Sequence, residues 1–323
     1  MVEVVALGEL LIDFVSCGKS AQGNGLFEAC PGGAPCNVLA MLSRLGRKTA
    51  FIGKLGDDMF GQRLKKAVEE LGIDTRGIVF DRSVSTTLAF VDTGAGGERS
   101  FAFCRKPGAD MMLRQEELDK TLLENCRIFH FGTLSMTHTG VREATRAAAD
   151  IALRSGALIS FDPNLRPPLW DSTAEAKAQI EWGCAHCDIL KISDDEAEFL
   201  TGITSAKEAG MAIRGRFPNI GLIFITCGRN GSIALYRDLV VCAEAFRFPN
   251  TIDTTGAGDT FCGCCLDAVL GEGLGNLTIE KILKMLRFAS AAAGIVTTRK
   301  GALSAMPERH EILECVKSAP GGC

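Results

Sequence analysis

The chain has 323 residues, 46% of them hydrophobic and 23% charged, with a formal net charge of −4. This is enough for one large α/β domain with an appendage. The mildly acidic balance, without a Lys/Arg-rich run, argues against nucleic acid as a partner. No apolar run reaches the ~18 residues of a membrane helix, and the N-terminal stretch lacks the basic segment of a signal peptide. We therefore expect a cytoplasmic protein without a membrane partner.

Short apolar runs alternate with helical patterns along the chain. Two helical patterns cover residues 37–45 and 141–154. The strand-like runs cover residues 4–7, 49–52, 128–131, 158–161, 189–192 and 222–226. Buried strands that alternate with helices of this length are typical of a mostly parallel, doubly wound sheet. The sequence therefore predicts an α/β fold within a single domain, residues 1–323.

Two segments, about 11–31 and 84–106, break this rhythm because they alternate apolar and polar residues. Within the second segment, residues 94–97 read Gly-Ala-Gly-Gly and predict a hairpin turn. We expect the two segments to form a small antiparallel sheet, inserted between strands of the main sheet and placed as a lid.

The fourteen cysteines are scattered, and without a secretion signal they are expected to be reduced and mostly buried. Cys184 and Cys187 form a C-x-x-C pair. A zinc site would need a second pair of ligands at suitable spacing, and none is evident in the sequence.

The strongest chemical signal is the string Asp-Thr-Thr-Gly-Ala-Gly-Asp-Thr-Phe at 253–261. The small residues Gly256, Ala257 and Gly258 let backbone N–H groups converge, and an apolar helix is predicted over 259–270. A helix N-terminus attracts anions, so these residues predict an anion hole for a phosphoryl group. Asp259 could accept a hydroxyl proton as a general base. The alternative is that Asp259 only caps the helix.

The string at 253–261 resembles the C-terminal signature of the ribokinase/PfkB family of carbohydrate kinases. Residues 32–38, Gly-Gly-Ala-Pro-Cys-Asn-Val, resemble a second signature of that family. Segments 8–14, 51–58, 105–110 and 161–170 are similar to its fructokinase branch. The resemblance implies a three-layer α/β/α, Rossmann-like (ribokinase-like) sheet with a β-sheet lid. It also implies transfer of the ATP γ-phosphate to a sugar hydroxyl, with fructose as the favoured substrate.

Other nucleotide enzymes are disfavoured by missing motifs. The sequence contains no G-x-x-x-x-G-K-[ST] string, so a P-loop enzyme is excluded. A G-x-G-x-x-G string after the first strand is also missing, which argues against a nicotinamide oxidoreductase.

The resemblance assigns the sugar to residues on both sides of a crevice. Asp13 comes just after the first strand, where ligand crevices open in such sheets, and an asparagine amide both donates and accepts hydrogen bonds. The predicted sugar contacts are Asp13, Gly32, Gly33, Asn37, Arg105 and Arg166. A surface position for Asp13, a helix cap for Asn37 and a structural ion pair for Arg166 are the alternatives.

The resemblance also implies sites for ATP and its ions. The predicted nucleotide contacts are Lys191, Ser193, Thr226, Gly228, Gly231, Gly258 and Ser290. Glu196 would organise Mg²⁺ through water, because this ion dehydrates reluctantly. A potassium ion would be held, mostly by backbone carbonyls, at Asp253, Thr255, Val296, Arg299, Gly301 and Ala305. The alternatives are an acidic helix start at 194–198 and a plain hairpin at 226–231.

Two other functions stay open at this point. Related 2-keto-3-deoxygluconate kinases share the Asp-Pro-Asn-x-Arg segment of residues 162–166, in which the arginine suits a carboxylate. A catalytically silent regulatory relative is the other alternative, although residues 256–259 are intact. Because lid sheets with exposed apolar faces tend to pair, a homodimer through the lid is also expected.

Overall fold

The structure, a computed structural model, describes residues 1–93 and 99–318, apart from the side chains of residues 92, 93 and 99–101. The predicted turn at 94–97 lies outside the described residues. The strands are β1 (Val4–Leu7), β2 (Leu11–Lys19), β3 (Gly25–Gly32), β4 (Thr49–Gly56), β5 (Asp74–Asp81), β6 (Leu88–Thr93), β7 (Arg99–Cys104), β8 (Ile128–Gly132), β9 (Leu158–Asp162), β10 (Ile189–Ser193), β11 (Leu222–Thr226), β12 (Ser232–Tyr236) and β13 (Leu239–Ala243).

The helices pack against the strands of the central sheet. They are α1 (Ala34–Arg44), α2 (Met59–Glu70), α3 (Lys120–Glu124), α4 (Thr139–Arg154), α5 (Thr173–His186), α6 (Asp194–Thr201), α7 (Ala206–Arg216), α8 (Ala257–Glu272), α9 (Ile279–Val296) and α10 (Arg309–Ser318). In the part of the chain that the structure describes, none of them is long and apolar enough to cross a membrane.

Nine strands form the central sheet, in the order β13-β12-β11-β10-β9-β8-β1-β4-β5. The pairs from β5 to β11 are parallel, and β12 and β13 extend the edge in antiparallel pairing. All six predicted strands belong to this sheet. Side chains of β1 alternate between two apolar cores, Val4 in one and Val5 in the other. Helices α1, α8 and α9 pack in the first core and α4, α5 and α7 in the second, which confirms the three-layer α/β/α prediction.

The lid segments form a second sheet, in the order β3-β2-β6-β7. Strands β2 and β3 are antiparallel, as are β6 and β7, but β2 and β6 are parallel. The prediction of a purely antiparallel sheet was therefore wrong. The reason is that the chain passes through β4 and β5 of the central sheet between the two hairpins, so it enters the lid twice in the same direction.

Helix α8 begins earlier than the sequence predicted. Its first residue is Ala257 rather than Asp259, and its N-cap Gly256 has a φ of 78°, in the left-handed region. Glycine adopts this conformation without a Cβ clash, so the chain turns sharply and enters the helix at once. As a result, Asp259 is the third residue of the helix.

Candidate active site

A cleft of about 340 Å³ lies between the lid and the carboxyl ends of the central strands. Strand β2 brings Asp13 to it from the lid, and α1 brings Asn37. Lys191, near the end of β10, and Asp259, in the first turn of α8, are two further charged residues of its lining. The fold thus gathers residues from positions 13 to 259 at the sheet edge where doubly wound proteins bind ligands.

The Asp259 carboxylate accepts an amide hydrogen bond on each oxygen. Asn37 Nδ2 donates to Oδ2 at 2.7 Å, and Asn164 Nδ2 donates to Oδ1 at 3.2 Å. Burial raises the pKa of Asp259 above its ordinary value, while the Asn37 amide, Lys191 and Arg166 act in the opposite direction. The N-cap of α8 is Gly256, and Asp259 is the third residue of the helix, so the cap alternative for Asp259 was wrong. A buried carboxylate with a raised pKa suits a general base.

The turn before Asp259 has the geometry of an anion hole. The first N–H groups of a helix have no acceptor within it. Ala257 N already donates to Thr254 O at 3.3 Å, and Thr260 N donates to Gly256 O at 2.8 Å, so the predicted anion hole rests on the N–H groups of Gly258 and Asp259, which lie between them. A Cβ placed on Gly258 would lie 3.1 Å from Lys191 Nζ. The lysine ammonium therefore lies beside the predicted anion hole, where it could share a phosphoryl group with the helix N-terminus.

Lys191 also forms a buried ion pair with Asp162, whose Oδ2 lies 3.0 Å from Nζ. Burial raises the pKa of Asp162 to about 7, although Lys191 opposes this shift. Burial works against the charge of Lys191, but Asp162, Glu196 and Asp259 outweigh it and raise the lysine pKa. Lys191 is therefore a permanent cation next to the predicted phosphate path.

The predicted sugar contacts divide into three groups. Asp13, Gly33, Asn37 and Arg166 line the cleft together. Gly32 packs closely against Asp13: a Cβ added to this glycine would collide with Asp13 Oδ2. Glycine is required at 33 for a related reason: its φ is 137°, and a Cβ there would strike the Glu9 carbonyl.

Arg105 lies elsewhere, behind the wall of the cleft. It is 5% exposed and pairs with Asp110 at 2.7 Å. Its other donors reach Thr137 Oγ1 and the Leu134 carbonyl, both at 2.9 Å. The structure does not place it among the sugar contacts predicted from the sequence, because the buried Asp110 carboxylate holds the guanidinium inside the protein. It supports the Leu134 wall of the cleft instead.

A second cavity, of about 680 Å³, opens on the other side of Gly258. Its lining brings together most of the predicted nucleotide contacts, namely Thr226, Gly228, Gly231, Gly258 and Ser290. Residues 226–231 connect the antiparallel strands β11 and β12, so they form the hairpin that was the alternative. Most of them also line the second cavity. The Ser290 hydroxyl forms two hydrogen bonds with the backbone: it accepts from Phe246 N at 3.2 Å and donates to Glu244 O at 3.4 Å.

Glu196, which was predicted to organise Mg²⁺, forms a helix cap with Ser193, a predicted nucleotide contact. Ser193 Oγ accepts from Glu196 N at 3.2 Å, and Glu196 Oε2 accepts from Ser193 N at 2.9 Å. Glu196 Oε1 accepts from Leu165 N at 2.6 Å. Within residues 1–93 and 99–318, no three His, Cys, Asp or Glu residues are grouped to hold a metal ion. The geometry fits a metal held mainly by phosphates and water, with Glu196 behind it.

The predicted potassium ligands are partly engaged within the chain. Asp253 Oδ1 accepts from Thr255 N at 2.8 Å. The Val296 carbonyl accepts from Arg299 N at 3.1 Å, and the Ala305 carbonyl accepts from Arg299 Nη1 at 3.2 Å. A carbonyl oxygen has a second lone pair, so these groups fit a monovalent cation, and the site stays a prediction. Gly301 lines the cleft that contains Asp13 and Asp259.

Sequence reasoning missed three residues of the cleft region: Glu9, Asp162 and Asn164. Glu9 lines the cleft, and its Oε1 accepts from Ala34 N at 2.8 Å. Burial raises its pKa to about 7. All three belong to segments whose similarity to the fructokinase branch was recognised, and their position after a buried strand was the signal that could have identified them.

Comparison with known proteins agrees with this geometry. The family profile described as pfkB family carbohydrate kinase matches residues 1–309. The chain belongs to the pfkB family of carbohydrate kinases. It is a sugar kinase, as its resemblance to the family implied.

Individual members of the pfkB family extend the likeness to the whole chain. The probable fructokinase-2 of Arabidopsis thaliana is 43% identical over 317 residues, covering 97% of this chain and 95% of that protein. Fructokinase from Xylella fastidiosa with bound ATP superimposes with a TM-score of 0.86 at 31% identity, covering 98% of this chain and 99% of that one. Fructokinase from Vibrio cholerae O395, with fructose, ADP and calcium ion bound, superimposes with a TM-score of 0.88 at 29% identity and the same coverage.

Proposed function

We propose that this chain transfers the γ-phosphate of ATP to the primary hydroxyl of fructose, giving fructose 6-phosphate and ADP. The observation that carries the proposal is the place of Asp259. Its carboxylate lies in the sugar cleft, one residue from Gly258, which lines both the cleft and the second cavity. The fructokinase relatives support fructose as the sugar, and the predicted nucleotide contacts that line the second cavity support it as the site for ATP.

In the proposed reaction the fructose hydroxyl loses its proton to Asp259 as its oxygen bonds to the γ-phosphorus. The bond between that phosphorus and the β,γ-bridging oxygen breaks, and ADP leaves. Lys191 and the N-terminus of α8 stabilise charge on the phosphoryl oxygens, which is the main catalytic contribution expected in phosphoryl transfer. Closure of the lid over the sugar would exclude water that could otherwise accept the phosphate.

Ions and assembly belong to the same proposal. Mg²⁺ bound to the phosphates would neutralise their charge, with Glu196 acting through water. Asp253 and the neighbouring carbonyls would hold potassium. Leu26 and Phe27, exposed on the lid strand β3, support a homodimer through the lid. The cytoplasmic location stays a prediction.

A second substrate, 2-keto-3-deoxygluconate, is favoured by one observation. Arg166 is exposed and lines the cleft, and its positive charge acts to lower the pKa of Asp259. A guanidinium at that place could pair with a substrate carboxylate. Parallel measurement of ADP release with fructose, 2-keto-3-deoxygluconate and ribose, each with and without potassium, separates these possibilities.

The experiment that tests the proposal is Asp259→Asn. The change keeps the size of the side chain but removes the proton acceptor, so kcat with fructose should fall by at least ~10² while ADP binding is retained. Asp150→Asn, on the exposed surface of α4, is the matched control and should leave kcat unchanged. Near-normal turnover of Asp259→Asn would contradict the assignment of the base.

A further inference from the structure

We propose that Asn164 is a positioning residue for this reaction: its side-chain amide holds the Asp259 carboxylate in its ionised form and in its reactive orientation. The inference rests on the proposed function, in which Asp259 is the base. No motif in the sequence predicts a role for Asn164, but its contacts in the structure indicate one.

The backbone of Asn164 adopts a strained, left-handed conformation. Its φ is 45°, and in residues 1–93 and 99–318 only Arg237, with a φ of 50°, shares a positive value among the non-glycine residues. Asparagine tolerates this left-handed region better than most residues, but the conformation still has an energetic cost. Such strain persists only where neighbouring contacts enforce it, and it is concentrated at functional sites.

Contacts on both sides of Asn164 enforce the conformation. The carbonyl of Pro163 accepts two hydrogen bonds from Thr133, from N at 3.0 Å and from Oγ1 at 2.5 Å. On the other side, the Leu165 N–H donates to Glu196 Oε1 at 2.6 Å. The peptides before and after Asn164 are therefore fixed to the loop after β8 and to the first turn of α6.

Held in this way, the Asn164 amide reaches the base. Nδ2 donates to Asp259 Oδ1 at 3.2 Å, opposite the Asn37 amide on Oδ2. Two donors on different oxygens fix the rotation of the carboxylate. Each oxygen keeps a further lone pair, so the carboxylate can still accept the proton of the sugar.

The charges around Asp259 explain why a neutral donor is useful. The charges of Lys191 and Arg166 favour the ionised form of Asp259, whereas the charge of Glu196 disfavours it. The charge of Asp259 in turn raises the pKa of the nearby Asp162. Burial raises the pKa of Asp259. An amide donor favours the carboxylate and does not titrate in the working range. Without it the pKa of Asp259 should rise, and a larger fraction of the base should be protonated near neutral pH.

Three substitutions separate this role from a purely structural one. Asn164→Gly removes the amide but suits a positive φ, Asn164→Ala removes the amide and adds strain, and Asn164→Asp replaces the donor with a second negative charge. The measurement is the pH dependence of kcat/KM for fructose. The acid limb of this profile reports the pKa of the base in the free enzyme. Arg237→Gly, at the remote β12–β13 turn, is the control for backbone relief and should leave the profile unchanged.

We expect Asn164→Gly and Asn164→Ala to lower kcat by about tenfold and to move the acid limb upward by about one pH unit. Asn164→Asp should move it further, because a like charge adds to the loss of the donor. ADP binding should stay within about twofold for all three, since the amide acts through Asp259 alone.

Two results would overturn the proposal. One is a wild-type profile for Asn164→Gly together with a defective Asn164→Ala, since only the backbone conformation would then matter. The other is an acid limb that stays in place in all three variants. Normal turnover of Asp259→Asn would instead remove the proposed base, so failure of the function and failure of this inference are distinguishable.

Discussion

The sugar cleft and the nucleotide cavity meet at Gly258, yet their walls differ in charge. The cleft carries Asp259, Lys191 and the neighbouring Glu9 as buried ionisable groups. The nucleotide cavity is walled by Phe246, Phe248, glycine backbone and small residues of α9, and its two arginines, 229 and 247, are exposed. If the proposed function is correct, the hydroxyls of the sugar would form charge-assisted hydrogen bonds in the cleft, and the flat adenine base would pack on apolar surface in the nucleotide cavity.

This difference predicts how each cavity should respond to substitution. Buried charges depend on one another, and removal of one member leaves its partner unpaired in a poorly solvated site. Apolar contacts are spread over many residues, so a single change removes only a fraction of the binding surface. Single substitutions should therefore have large effects in the cleft and small effects in the nucleotide cavity.

Among substitutions that compare the two cavities, and apart from Asp259→Asn, the largest effect is expected for Lys191→Met. The change removes the proposed phosphate ligand and leaves Asp162 buried without its partner, so kcat should fall on the order of 10² and the free energy of unfolding by about 3 kcal/mol. Because the pKa of Asp162 is already raised to about 7 by burial, loss of the lysine raises it further. The stability deficit should therefore be smaller at pH 5 than at pH 8.

The double variant Lys191→Met/Asp162→Asn is the matched control for this prediction. It removes both charges, so it should recover most of the unfolding free energy measured by chemical denaturation but none of the lost kcat. Recovery of activity along with stability would mean that Lys191 has only a structural role.

A smaller but still large effect is expected for Asp13→Ala. Its carboxylate lines the cleft from the lid, and loss of a charge-assisted hydrogen bond to the sugar should raise KM for fructose about 10- to 100-fold. The Kd for ADP, measured by calorimetry, should not change. A rise in the ADP Kd equal to that in the fructose KM would contradict the separation of the two cavities.

The smallest effect is expected for Ser290→Ala in the nucleotide cavity. Because its hydroxyl bonds to backbone groups of Glu244 and Phe246, its loss should lower the free energy of unfolding by about 1 kcal/mol. KM for ATP should rise by less than about threefold. A rise above tenfold would show that the hydroxyl contacts the nucleotide and that this cavity is as sensitive as the cleft.

Much of the fold was predictable because it depends on local patterns. Six of the nine strands of the central sheet, the glycine turn before α8 and the two lid segments have a local signature in the sequence, whereas strands β5, β12 and β13 were not predicted. The parallel pairing of β2 with β6 has none, since it follows from the path of the chain through β4 and β5. The early start of α8 depends on the left-handed conformation of Gly256, which composition permits but does not require.

The candidate site was predictable in its ligand classes and less so in its contacts. Asn37 and Asp259 are 222 residues apart, and nothing in either segment indicates that their side chains bond to each other. Arg105 was assigned to the sugar from its segment alone, but its partner Asp110 determines the direction of the guanidinium. Asn164 was missed because its role depends on a backbone conformation enforced by Thr133 and Glu196.

Thr254 and Gly258 line both cavities, so the two chambers share a short common wall. A single molecule that joins a ketose to an adenosine through a phosphate linker could occupy both at once. Its second half would bind at a high effective concentration once the first is in place. The narrow junction at Gly258 would then set the linker length and give inhibitor design a geometric criterion for selectivity.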